Sequence, residues 1–255
     1  MAGRRVIHVK REDLYGMPPA PPLAKLRGIR VLLNRLYMEG IRLVGCWDTR
    51  VSKLGQGLAA SCTELPQMRC IVSYPTKKGE ARPESVQIAA DLGAEIYPVP
   101  GSRITICYAQ ARRYVTEKGG VMLPFGMECK EAVDGVRQEA NTVPPSLVEG
   151  GTIILCCGSG VTLAGLLSGL PVSPHKIIGV SSGRSVSNIR ACLQRYIKVL
   201  PQYLELHEAT VPYSTALSFP CPFPSHPNYD LKAWKFLIDN LHAYRDPILF
   251  WNIGA

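Results

Sequence analysis

The stretch from Thr152 to Leu167, TIILCCGSGVTLAGLL, constrains the chain more than any other. An apolar, β-branched run opens it. Cys156 and Cys157 follow, then Gly158, Ser159 and Gly160. Leu163, Leu166 and Leu167 then fall on one side of a helical repeat. The pattern predicts a strand, a glycine turn and a helix. Such a turn presents backbone N–H groups at a helix N-terminus, and the hydroxyls of Ser159 and Thr162 join them there. That cradle suits a phosphate monoester, because glycine lets the backbone approach the oxygens. A plain βα turn with glycines for close packing satisfies the same pattern. No Gly-Lys-Ser/Thr follows, so the stretch is not a P-loop, and its glycines lack the dinucleotide spacing.

The rest of the chain alternates in the same way. Strands are predicted at 5–9, 41–46, 70–74, 94–98, 176–180 and 248–251. Helices are predicted from Leu23 through Leu36, then at 55–62, 83–92, 104–118, 128–140, 185–199 and 231–243. The prolines of residues 16–22 end just before Leu23, which places Lys25 in the first turn of its helix. Residues 207–230 are proline-rich and read as loop. Strand–helix alternation predicts an α/β protein, three-layered, with mostly parallel sheets. Two lobes are expected: a small one over 45–120, and a large one from 1–44 and 121–255. Ligands in such folds lie outside the carboxyl ends of strands, so the loops after Cys46, after Cys157 and around Tyr229 are expected to face one cleft.

Composition narrows the class. No stretch is long and apolar enough to span a membrane, and the first residues lack a signal-peptide core, which leads us to expect a cytoplasmic protein. Nine cysteines are scattered without CxxC or Cys/His ligand spacing, so no metal is expected and the thiols read as reduced and buried. The formal charge of +9 suits an anionic partner such as nucleic acid or a phosphorylated ligand. The basic residues form no long run, so ordinary solvated surface accounts for the charge equally well.

Five stretches, in order, resemble a known family. Val9–Leu14 with Ala24–Arg27 (VKREDL, AKLR), Gly45–Ala59, Gly158–Thr162, Pro227–Ala233 (PNYDLKA) and Ile248–Gly254 (ILFWNIG) are similar to segments of the aminocyclopropane-carboxylate deaminase and D-cysteine desulfhydrase group. These are fold-type II pyridoxal-phosphate enzymes, related to the tryptophan synthase β chain. The resemblance implies that Lys25 forms the Schiff base with the cofactor aldehyde, with Lys53 and Lys10 as weaker candidates. Taken alone, Lys25 reads as a snorkelling helix lysine. The resemblance also implies that Gly158, Ser159, Gly160, Val161 and Thr162 hold the phosphate. Tyr229 would carry a proton near the substrate. Asp230 would face the pyridine nitrogen, although an Asp there also suits the N-cap of the next helix.

The chain departs from the family in places. Thr49 keeps the hydroxyl of a family serine, while Arg50 replaces an asparagine that contacts the cofactor and offers a fork for a substrate carboxylate or phosphate. Asp48 replaces a glutamine, Ser52 a threonine, and Asn252 and Ile253 the family's closing polar residues.

The resemblance therefore implies a lyase or deaminase acting at Cα of a small amino acid, or of an amino-acid adduct, through Lys25. A second reading is a decarboxylase or lyase acting on an amino-acid-modified thymine in phage DNA, in a host cytoplasm. A third is a non-catalytic relic that binds cofactor or nucleic acid. The expected partners are an amino-acid-like substrate, DNA or a modified nucleotide, and a second copy of the chain.

Overall fold

The computed structural model describes residues 5–255. The described chain divides into two compact units, residues 5–15 with 128–255, and residues 16–127. It opens with β1 (Ile7–Arg11) in the first unit. It then builds the second: α1 (Leu26–Met38), β2 (Leu43–Trp47), α2 (Leu54–Thr63), β3 (Arg69–Thr76), α3 (Glu84–Asp91), β4 (Glu95–Pro100), α4 (Ile104–Glu117) and β5 (Val121–Met122). It returns with α5 (Lys130–Ala140), β6 (Thr152–Cys157), α6 (Val161–Gly169), β7 (Lys176–Ser181), α7 (Val186–Leu193), β8 (Leu204–Glu208), α8 (Asp230–Asp239) and β9 (Ile248–Asn252).

Both sheets are parallel. The 16–127 unit has the order β4-β3-β2-β5, and the other unit has β1-β9-β6-β7-β8. In the five-stranded sheet all six residues of β6 are buried, as a strand covered on both faces must be. Ile154, Cys156, Ile178, Val180, Ile248 and Phe250 pack with Leu231, Trp234 and Leu237 of α8. The opposite face, to which Cys157 points, meets Leu163 of α6. This is the helix–sheet–helix layering of an α/β unit.

Several element ends differ from expectation. The edge strand β8 is absent from the expected strands, and its last two residues fall in the expected loop, because its Leu-Glu-Leu-His-Glu alternation is short and flanked by prolines. Two-residue β5 carries too little pattern to find. Helix α7 stops at Leu193, six residues before its expected end. Helix α8 stops at Asp239, and a separate 3-10 turn spans Leu241–Ala243. The compact units also fall differently from the lobes expected at 45–120: α1 packs on α2 and belongs with residues 16–127. Among the described residues no helix is long and apolar enough to cross a membrane.

Candidate active site

The glycine turn joins β6 to α6. Gly160 takes φ +97°, a left-handed conformation open to glycine, and thereby turns the chain into the helix. The N-cap of α6 is Gly160, which has no side chain to cap the first amide groups of the helix. A Cβ added at Gly158 would meet nothing within 4 Å, which marks the open side of the turn. Ser159 and Val161 are buried and Thr162 is half-buried.

In the same unit Asp230 opens α8 and is only 1% exposed. The N-cap residue of that helix is Tyr229, with no side-chain capping bond, so Asp230 does not serve as the N-cap. Its Oδ1 instead accepts the backbone N–H of Ile253 at 2.9 Å. Burial holds the Asp230 carboxyl well above its ordinary pKa, against the Ile253 hydrogen bond, and the negative charge of Asp13 adds to the rise. Among the described residues no Lys, Arg or His side chain bonds to it. Burial, then the charge of Asp230, pushes the Cys157 thiol up to about 12, so this cysteine stays protonated.

The Tyr229 hydroxyl hydrogen-bonds that of Tyr213, with ring centroids 5.3 Å apart, and the His226 ring lies 4.9 Å from Tyr229 on its own edge-on contact. Tyr213 escaped the sequence reading. It sits in an irregular segment without periodicity, where a lone tyrosine carries no signal.

The 16–127 unit holds Lys25, Thr49, Arg50 and Lys53. Lys25 is half-buried and stands one position before α1, at its N-cap, rather than inside the first turn. Its positive charge acts on Asp48, at the carboxyl end of β2. Asp48 is fully buried. It accepts N–H bonds from Thr49 at 2.9 Å and Gly55 at 2.7 Å, and a bond from the Ser52 hydroxyl. Burial raises its pKa, and these bonds and Lys25 oppose the rise. A Cβ on Gly55 would lie 2.9 Å from Asp48 Oδ2 and 2.4 Å from Val72, so the carboxylate reaches α2 because the helix offers it a glycine.

Thr49 is half-buried beside this anchor. Arg50 is engaged within the unit: its Nε lies 2.8 Å from Glu80, and its Nη2 donates to the Ala81 carbonyl at 2.7 Å. It thus ties the loop after β2 to the loop after β3. Lys53 is half-buried and its pKa is lowered by burial. Lys10 belongs to the other unit, where it pairs with Glu12 and Glu139. Among the described residues no group of three or more His, Cys, Asp or Glu could hold a metal ion.

No family model matches the chain. A relative does: the glycyl-dTMP PLP-dependent decarboxylase of Pseudomonas phage M6 is 30% identical over 264 aligned positions, covering 97% of this chain and 94% of the relative. The chain belongs to the fold-type II pyridoxal-phosphate enzymes. Solved structures carry the same fold. An aminocyclopropane-carboxylate deaminase homologue matches with a TM-score of 0.79, at 18% identity over 97% of this chain and 84% of its own. Threonine deaminase isoform 2 of Solanum lycopersicum follows at 0.68, with 14% identity over 98% and 79%. A hydrogen sulfide-producing enzyme of Fusobacterium nucleatum gives 0.67, with 16% identity over 98% and 90%.

The family's cofactor, pyridoxal 5'-phosphate, suits what this chain offers. The uncapped start of α6 and the open side of Gly158 match a phosphate ester. The buried Asp230 carboxyl, with no cationic partner among the described residues, suits a protonated ring nitrogen.

Proposed function

We propose that the chain is a pyridoxal-phosphate-dependent decarboxylase whose substrate is an amino acid carried on a thymine nucleotide. The observation that carries this reading is the 30% identity, across 97% of the chain, with a decarboxylase of glycyl-dTMP. The formal charge of +9 supports an anionic substrate. The relative's phage origin makes a host cytoplasm the expected place of action.

When bound, the cofactor supplies an electron sink for the pair released at Cα. The protein's own residues do the rest. Backbone N–H groups of Gly158–Thr162 grip the phosphate, and the Ser159 and Thr162 hydroxyls add donors. Asp230 keeps the ring nitrogen protonated, because an opposite charge favours the charged form. Lys25 would carry the cofactor on its amine. The Thr49 hydroxyl binds the substrate on the loop that Asp48 anchors. Arg50 gives that loop its shape through Glu80 and the Ala81 carbonyl. The bond from Cα to the carboxylate breaks, its electron pair stays on Cα, and carbon dioxide leaves. Tyr229, hydrogen-bonded to Tyr213, delivers the proton that takes the carboxylate's place.

The test supplies the loaded protein with glycyl-dTMP labelled in its carboxylate. The same group within an oligonucleotide and free labelled glycine run alongside. Labelled carbon dioxide from the nucleotide-borne group, and little from free glycine, is expected. Release of ammonia from a free amino acid, with no carbon dioxide from either nucleotide form, would replace this reading with a deaminase.

A further inference from the structure

The segment between β8 and α8 is irregular, yet Pro212 and Tyr213 within it are held from three sides. Lys232 of α8, only 4% exposed, donates from Nζ to the Pro212 carbonyl at 2.6 Å. The same carbonyl closes a turn by accepting the N–H of Thr215 at 3.0 Å. Asn228, 6% exposed, donates from Nδ2 to the Tyr213 carbonyl at 2.9 Å. Gly183, in the loop after β7, faces the ring itself: a Cβ there would lie 3.0 Å from Tyr213 Cδ2.

Two consecutive carbonyls pinned by buried donors fix the two peptide planes on either side of the Tyr213 Cα. The Tyr213 side chain is then left only its own two torsions, and Gly183 leaves room for its ring. Burying a lysine against a carbonyl is costly, since no carboxylate among the described residues pairs with it, and burial lowers its pKa accordingly. An apolar residue would fill the same space more cheaply. The hydrogen bond to Pro212 is what a lysine adds here.

We propose that Lys232 and Asn228 are positioning residues that seat the Tyr213 phenol on the Tyr229 phenol, making the two tyrosines a single proton-carrying pair beside Asp230. The role of the pair rests on the reading of Tyr229 under Proposed function. The clamp itself rests on the bonds above.

The experiment keeps the two apart. The loaded protein is prepared with tyrosine labelled at Cζ, and the Tyr229 and Tyr213 carbon signals are assigned through their Phe variants. Tyr213→Phe should displace the Tyr229 signal, because its hydroxyl partner is gone. Lys232→Met and Asn228→Ala should each displace the Tyr229 signal in the same direction, with the signals of distant tyrosines unmoved. Lys232→Met removes a buried charge, so its melting temperature should hold or rise. Asn228→Ala removes no charge, so a matching displacement there excludes a purely electrostatic effect and serves alone if Lys232→Met does not fold. A Tyr229 signal unchanged in Asn228→Ala and in any folded Lys232→Met would overturn the clamp. A displaced signal in a protein that decarboxylates no nucleotide substrate would uphold the clamp and remove only the reaction assigned to it.

Discussion

The backbone N–H of Ile253 donates to Oδ1 of Asp230 at 2.9 Å, so the exit of the last strand holds the carboxylate that opens helix α8. This contact orients a buried acid without supplying a counter-charge. Because burial raises the pKa of Asp230 in the folded chain, the folded state binds more protons than the unfolded one above the ordinary carboxylate range. The stability tied to protonated Asp230 is therefore whole below that range and is lost as pH rises through the raised value. Asp230→Asn keeps an acceptor for Ile253 and removes the titration. In the cofactor-free state the variant should melt higher than the parent at neutral pH and match it in acid. Equal melting at both would show that Asp230 is not buried as a costly acid.

Asp48 anchors the loop that carries Thr49. Asp48→Ala strips the acceptor from two backbone N–H groups and should destabilise the chain by about 2 kcal/mol or more. Asp48→Asn, which retains one acceptor oxygen, should cost less. Denaturant titration of both variants checks the order, and an Asp48→Ala chain as stable as the parent would contradict the anchor.

The two glycines of the turn separate folding from binding. Gly160 sits at φ +97°, so Gly160→Val forces a β-branched residue into left-handed backbone, at a cost of about 1–3 kcal/mol. Gly158 has open space where a Cβ would go. Gly158→Ala should fold like the parent and bind pyridoxal phosphate more weakly, because its methyl group occupies the approach to the phosphate oxygens. Calorimetric melting with cofactor titration reads both. Unchanged cofactor affinity in Gly158→Ala would remove the phosphate from this turn.

Much of this was legible in the sequence, and the losses have physical causes. The strand–turn–helix around Gly158–Gly160 announced itself because a fully buried strand, a left-handed glycine and an apolar helix leave separate marks. Asp230 carries two readings in the sequence, since an acid before a helix suits a cap as well as a ring; the structure places Tyr229 at the cap and gives the Asp230 carboxyl the Ile253 N–H, which no local pattern announces. Tyr213, Lys232 and Asn228 meet through an irregular segment, and contacts across such a segment follow no period. Arg50 looked like a ligand fork because an arginine in a loop shows its charge in sequence but not its partner, here Glu80.

The cofactor-bearing lysine is the centre of the mechanism. The loaded protein, reduced with borohydride, digested and mapped by mass spectrometry, should carry the pyridoxyl group on the peptide that contains Lys25, and Lys25→Ala should abolish the label while the chain still melts as a folded protein. A pyridoxyl group found on Lys53 or Lys10 with Lys25 unmodified would contradict it.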